Sequence, residues 1–231
     1  MSNQDAWNAE YTKGAFLTNG VVASKGVRDF VKHLRRKESL DIGSLVVLDA
    51  GCGTGKNAFY FSEFGAKVLA YDLSSVAIDN ARKYAKENGI PVEFTCLASG
   101  KLPYEDKSVD VLVDSMSIHL LTEEQRQIYA AEVSRVLKDT SYIYLKTFKL
   151  EGDANAKQLI KDNVRYTGYS YILPVLSVEE RVFTLSEVKE LFGSSFAPFY
   201  IHSDSGYMRF GERTYKRNYY TVYYVRRDNI S

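Results

Sequence analysis

Cysteine is nearly absent from this chain of 231 residues: only Cys52 and Cys96 occur. Two thiols in no metal-binding spacing build neither a zinc site nor the disulfide framework of a small secreted domain, so free thiols in a reducing compartment are expected. Histidine is equally sparse at three residues, and no metal is expected. An excess of either charge is also missing. Thirty Lys and Arg against 29 Asp and Glu leave a formal charge of +1, which argues against the broad basic footprint of a DNA or RNA binder. No run of about 18 apolar residues is present, and the polar opening Met1-Ser2-Asn3-Gln4-Asp5 is no signal peptide. These absences point to a cytoplasmic protein with no membrane association. The hydrophobic content of 45% and charged content of 26% are those of an ordinary globular protein able to bury one full core, and a single domain over residues 1–231 is expected.

What is present concentrates between residues 46 and 114. Val46-Val47-Leu48-Asp49-Ala50-Gly51-Cys52-Gly53-Thr54-Gly55 is an apolar run closed by an acidic residue and followed by a glycine at every second position. It leads into a helical pattern from Asn57 to Phe64. Glycines at 51, 53 and 55 permit a backbone path that side chains would block and let the chain approach a ligand closely. A loop of this kind between a buried strand and a helix is the cofactor loop of nucleotide-binding α/β sheets. Pyrophosphate binders space their glycines G-x-G-x-x-G with a phosphate on the helix N-terminus, whereas this loop reads D-x-G-x-G-x-G. A second apolar strand, from Ala66, closes on Asp72, about 20 residues on, where a carboxylate suits the two hydroxyls of a ribose. The alternative for Asp72 is a helix cap near Ser74-Ser75. A third element, Leu102-Pro103-Tyr104-Glu105-Asp106-Lys107-Ser108-Val109-Asp110, leads into the apolar strand Val111 to Val113.

In these three ordered elements the chain resembles the class I S-adenosylmethionine-dependent methyltransferases. Their first motif has the same strand, acidic residue and triple glycine, and their fourth strand is commonly preceded by Leu-Pro-Phe, an acidic turn and Phe-Asp, a signature that dehydrogenases lack. The resemblance implies S-adenosylmethionine as cofactor. It implies a cofactor site made of Asp49, Gly51, Cys52, Gly53, Thr54, Gly55 and Asn57, of Asp72 and Leu73, of Ala98 and Ser99, and of Asp114, Ser115 and Met116. It covers residues 45–150 in specific motifs and the rest only in layout. Within the family, the order of Asp110, Asp114, His119 and Arg126-x-x-Tyr129, with Trp7 and Tyr11 upstream, is similar to small-molecule enzymes of the thiopurine and tellurite-resistance type. That similarity implies a small-molecule methyl acceptor such as a thiol or other soft nucleophile. Two departures stand out. Ala98 occupies the position where family members often carry an Asp for the adenine amino group, leaving that contact to backbone or to the Ser99 hydroxyl. Lys138-Asp139-Thr140-Ser141 replaces the usual Lys-Pro-Gly-Gly turn before the fifth strand.

Periodicity and punctuation supply the layout. Alternating strands and helices imply an α/β fold with a mainly parallel sheet, and the resemblance specifies a Rossmann-like three-layer sandwich. Its seven strands would run in the order 3-2-1-4-5-7-6, with an antiparallel edge hairpin. Residues 1–44 form an N-terminal cap whose aromatics, Trp7, Tyr11 and Phe16, show no period, followed by a helix from a Ser24 cap to Arg36. Helices are expected over 75–87, ended by Asn88-Gly89, and from the Thr122-Glu123-Glu124-Gln125 capping box to Leu137. Strands are expected at 92–96, 109–114 and 141–148. Residues 149–180 are an insertion, a lid or part of the acceptor pocket. Thr184-Leu185-Ser186-Glu187 opens a short helix, and 199–202 and 219–226 are the last two strands.

A sulfonium cofactor carries its own activated methyl group, so such a protein mainly aligns the acceptor with the S–CH3 bond and excludes water. A base is required only when the acceptor must lose a proton. His119, beyond the fourth strand on the ligand-binding edge of the sheet, is the candidate acid–base group; the alternative is a packed histidine bonded to a carbonyl. His33 and His202 fall outside the motifs. Asp114 is the second catalytic candidate, orienting acceptor or cofactor, or else accepting bonds from loop amides. Trp7 and Tyr11 either fold over the pocket or cover the sheet edge. Tyr166, Tyr169 and Tyr171 either make an aromatic wall for substrate or pack a lid on its own core. The basic and aromatic tail from Tyr215 suits RNA or an ordinary strand. RNA or protein methylation and a non-catalytic cofactor-binding module stand as alternatives to a small-molecule enzyme.

Overall fold

The computed structural model describes residues 2–13, 22–98, 100–163, 168–173, 176–210 and 213–226. Helix α1 (Asn3–Lys13) and helix α2 (Lys25–Arg36) precede the first strand, β1 (Val46–Ala50). The glycine loop then enters α3 (Lys56–Ser62), followed by β2 (Lys67–Asp72), α4 (Ser75–Asn88) and β3 (Val92–Cys96). Next come β4 (Val109–Ser115), α5 (Glu123–Val136) and β5 (Leu137–Phe148). The insertion carries α6 (Ala154–Asp162) and the strands β6 (Ser170–Leu173) and β7 (Val178–Arg181). Helix α7 (Leu185–Glu190) leads to the long closing hairpin, β8 (Phe196–Phe210) and β9 (Arg213–Arg226).

Among the described residues, seven strands form one sheet in the order β3-β2-β1-β4-β5-β9-β8, and β6 pairs with β7. The first five strands are parallel, while β9 runs antiparallel between β5 and β8. With the insertion hairpin set aside, this is the predicted sheet and edge hairpin. Two-residue alternation along the strands divides the core into two layers. Val47, Val68, Val111 and Val113 pack with Val27, Phe30, Phe61 and Ile78 from α2, α3 and α4. Leu48, Leu69, Leu112 and Leu145 face the other way, toward Tyr129, Val133 and Val188 from α5 and α7. Helices on both faces of the sheet make the three-layer α/β sandwich.

Several boundaries follow local chemistry. The Ser74 hydroxyl accepts the Ala77 amide at 3.2 Å to cap α4, and Gly89, at φ +65°, ends it. The Thr122 and Thr184 capping boxes are both formed. Ser24 starts α2 without a side-chain cap bond, a correction to the expected serine cap. Trp7 and Tyr11 belong to a real helix, α1, whose buried Tyr11 gains its order from tertiary contact, and Phe16 lies outside the described residues. The last strands are far longer than 199–202 and 219–226, because β8 and β9 continue as a paired ribbon. β5 begins at Leu137, directly from α5, so the 138–141 segment is strand and not a turn. No helix among the described residues is long and apolar enough to cross a membrane.

Candidate active site

The carboxyl ends of β1, β2 and β4 open on one side of the sheet, where ligands bind in α/β folds. Gly51, Gly53 and Gly55 all have positive φ, at +62°, +55° and +87°, which explains why glycine recurs there. A Cβ at Gly51 would stand 2.5 Å from the Ser117 side chain, and one at Gly53 2.6 Å from the Tyr11 hydroxyl. The loop is fixed to its neighbours: the Cys52 amide donates to the Tyr71 carbonyl at 2.9 Å, and the Gly53 amide donates to Asp72 Oδ2 at 2.8 Å. Asp72 Oδ1 accepts the Ser74 amide at 2.8 Å. Asp72 therefore stands at the junction of the glycine loop and α4, while Ser74 performs the capping. Burial raises its carboxyl above the usual range.

Above this junction lies a cavity of about 590 Å³, within the ~300–1,000 Å³ of ordinary cofactor and ligand pockets. Of the residues expected at the cofactor, Gly51, Cys52, Gly53, Thr54, Asn57, Asp72, Leu73, Ala98, Ser115 and Met116 line it. Trp7, Tyr11 and His119 line it as well. Asn57 also accepts the Ser24 amide at 3.0 Å, tying α2 to the loop. Ala98 contributes no side-chain acceptor. Ser99 and Tyr166 lie outside the described residues.

Other candidates fall behind the cavity wall. Asp49 is 1% exposed and lies beneath the loop. Desolvation there pushes its carboxyl up to about 8 against the opposing effect of the Ala58 amide. Gly55 is the left-handed N-cap of α3 and does not reach the cavity. Asp114, expected near the reacting groups, is fully buried. Its Oδ1 accepts the Ser117 and Ile118 amides at 3.0 and 3.2 Å, and its Oδ2 accepts the Tyr129 hydroxyl at 3.0 Å. Burial raises its carboxyl to about 6. Asp114 thus shapes the loop that follows β4, in which Met116 is held at φ +72°, and it is no part of the cavity wall. A non-glycine residue in the left-handed region costs about 1–3 kcal/mol, and such strain concentrates at functional sites.

Neither of the two described insertion tyrosines lines the cavity. Tyr171 is fully buried, its hydroxyl donating to Glu180, and Tyr169 is 37% exposed and away from the cavity. His119 is 5% exposed, stacks edge-on against Phe148 at 4.6 Å and faces Glu180 at 3.9 Å. Burial, aided by the charge of Arg217, pushes its imidazole down to about 3. Sequence reasoning missed Lys56, Gln125, Tyr129, Lys146, Phe148 and Glu180, all on the cavity wall. Tyr129 stood in the quoted Arg-x-x-Tyr pattern. Glu180 carried no sequence signal, because only the β6–β7 hairpin brings it to the site.

The donors and shape of this cavity fit a nucleoside-bearing sulfonium cofactor: a glycine cradle that side chains would fill, a carboxylate at its rim and an apolar, aromatic extension. Residues 47–140 match the family model of a methyltransferase domain. A protein of Haemophilus influenzae described as uncharacterized is 29% identical over 52% of this chain and 48% of its own length. The 2-heptyl-1-hydroxyquinolin-4(1H)-one methyltransferase of Mycobacteroides abscessus is 32% identical over 38% of this chain and 40% of its own. The matches thus span under half the length of these two curated relatives. A solved structure of the Burkholderia thailandensis 1,6-didemethyltoxoflavin-N1-methyltransferase, with 1,6-didemethyltoxoflavin and S-adenosylhomocysteine bound, aligns with a TM-score of 0.68. It has 21% identity and covers 96% of this chain and 86% of that one. At that identity the likeness is one of fold. Motifs, the family match over residues 47–140 and the fold agree on a methyltransferase domain of the class I S-adenosylmethionine-dependent type.

Proposed function

We propose that the protein transfers the methyl group of S-adenosylmethionine to a small-molecule acceptor. The observation that carries this reading is the continuity of one cavity. It runs from the glycine loop and Asp72 to a second group of side chains, Trp7, Lys146, Phe148, His119 and Glu180. Asp72 would hold the ribose hydroxyls and the Gly51–Gly53 backbone the amino-acid part, with Leu73, Leu97 and Ala98 flanking the adenine. The cofactor supplies an electrophilic methyl group. The protein's part is to orient the acceptor along the S–CH3 axis and to exclude water, which Trp7, Tyr11 and Phe148 do by covering the site. The relatives that act on a hydroxyquinolinone and on a toxoflavin precursor support an acceptor of comparable size. A thiol or other soft nucleophile is the narrower reading of the same pocket, and the cavity rather than an open basic groove favours it over RNA. Calorimetric titration with S-adenosylmethionine and S-adenosylhomocysteine, beside Asp72→Ala, tests the cofactor site. Micromolar binding lost in the variant, with S-adenosylhomocysteine formed on adding small thiols or heterocycles, is the expected result. A folded protein that binds neither compound refutes the proposal.

A further inference from the structure

The far wall of the cavity is closed by a buried polar cluster that nothing in the glycine-loop chemistry uses. Glu180, on β7, is 2% exposed, and Arg217, on β9, is also 2% exposed. Glu180 Oε1 accepts Arg217 Nη1 at 2.8 Å and the Tyr171 hydroxyl. Arg217 in turn donates from Nε to Asp153 Oδ2 at 2.9 Å and from Nη2 to the Tyr171 hydroxyl at 2.6 Å. Its guanidinium lies 3.7 Å over the Phe148 ring. One oxygen of Glu180 is therefore fully engaged. The other, Oε2, has only His119 Nε2 at 3.9 Å, beyond hydrogen-bond reach, among the described residues.

Two observations give this oxygen a task. Glu180 belongs to the cavity wall together with His119, Phe148 and Leu173, so Oε2 stands where a ligand can meet it. The cluster also holds two carboxylates, Asp153 and Glu180, against the single guanidinium of Arg217. A carboxylate oxygen with no protein donor, on a side chain otherwise buried, takes its donor from what enters the cavity, and a ligand that brings an N–H or O–H fills that role. His119 does not supply that donor, because its Nε2 stands 3.9 Å from Oε2.

We infer that Glu180 is the specificity-determining residue of the acceptor site, its Oε2 accepting a hydrogen bond from an N–H or O–H group of a small acceptor held in the cavity. This rests on the methyl-transfer reading above and adds the acceptor's class: a molecule with a hydrogen-bond donor, such as a ring N–H or a hydroxyl. Arg217, Tyr171 and Asp153 are positioning residues that fix the carboxylate. No covalent step falls to Glu180.

Matched probes test the inference without knowledge of the natural acceptor. Protein saturated with S-adenosylhomocysteine is titrated with 4-hydroxyquinoline and benzimidazole, and with their capped forms, 4-methoxyquinoline and 1-methylbenzimidazole. The donor-bearing members should bind at least about tenfold more tightly than the capped ones, the ratio expected of a buried acceptor left unpaired. In Glu180→Gln, Arg217 and Tyr171 engage the amide oxygen, the NH2 group faces the cavity, and the preference should vanish or invert. A cooperative melt and unchanged S-adenosylhomocysteine affinity show that the variant is folded. Equal binding of capped and uncapped probes by the wild type overturns the inference with no variant needed. So does a preference that survives Glu180→Gln, or the failure of every donor-bearing probe to bind. All three leave the methyltransferase reading intact if S-adenosylhomocysteine itself binds; failure of that binding overturns both.

Discussion

The hydroxyl of Tyr11 fills the space into which a side chain at Gly53 would project, 2.6 Å from the position of its Cβ. The Gly53 amide also donates to Asp72. Helix α1, the glycine loop and the acidic end of β2 therefore meet at one point. Gln4 donates to the Leu73 carbonyl at 3.1 Å, and Asn8 accepts from the Ser74 hydroxyl at 2.7 Å. The N-terminal helix is thus fastened to the same junction from three successive turns.

Gly53→Ala should weaken S-adenosylhomocysteine binding by about tenfold or more. Two causes combine: a side chain at φ +55°, worth about 1–2 kcal/mol for an L-residue in the left-handed region, and the encounter with Tyr11. Pairing it with Tyr11→Ala removes only the second, so the double variant should regain part of the loss relative to Tyr11→Ala alone. Calorimetry on the four proteins of this cycle separates the two. Wild-type affinity in Gly53→Ala would show that the loop does not close on the cofactor.

Asp49 makes a prediction about pH. Its carboxyl is raised to about 8 by burial, so between about pH 4 and 8 the folded protein holds a proton that the unfolded chain has released. Stability from this group is fully present below pH 4 and declines as pH rises through 8, with a limiting slope of about 1.4 kcal/mol per pH unit. Asp49→Asn removes that titration. Urea unfolding of both proteins from pH 5 to 8 should show the wild type losing ground steadily relative to the variant. A constant difference across the range would mean that Asp49 is ionised in the fold.

His119 should remain neutral at every pH at which the protein works. Its folded value of about 3 lies below the 6.5 of an exposed imidazole, so its contribution to stability is complete above 6.5 and is lost as pH falls toward 3. Two-dimensional NMR of the ring nitrogens should show no protonation between pH 8 and 5. A ring titrating near 6.5 would place His119 in water and restore it as an acid–base group.

The parts legible in sequence are those whose cause is local. Val46 to Gly55 specifies a buried strand and a left-handed loop by residue type alone, and the caps at Thr122 and Thr184 are written in four residues each. The N-terminal helix escaped because its order comes from Gln4, Asn8 and Tyr11 reaching residues some 40–70 positions away. Asp114 was visible as an unusual carboxylate at a strand end, but its burial beneath the 115–118 loop depends on Tyr129 from another helix. Glu180 reads as a surface residue in Glu179-Glu180-Arg181, and only pairing with Arg217, 37 residues on, makes it a wall of the cavity. Long-range contacts of this kind leave no mark in periodicity.

Arg217 is the last test, because it joins the insertion to the main sheet. It links β9 to Asp153 at the start of α6 and to Glu180 and Tyr171 on the small hairpin, and it covers Phe148 at the end of β5. Removing one partner of a buried pair leaves uncompensated charge and costs about 3–5 kcal/mol. Arg217→Met keeps most of the volume over Phe148 while stranding both carboxylates, so a loss of that order is expected in urea unfolding at pH 7. Hydrogen exchange should locate the loosening in α6, β6 and β7, with the amides of β1, β2 and β4 still protected. An equal loss of protection across the whole sheet would show that Arg217 supports the core generally and does not anchor the hairpin that brings Glu180 to the cavity.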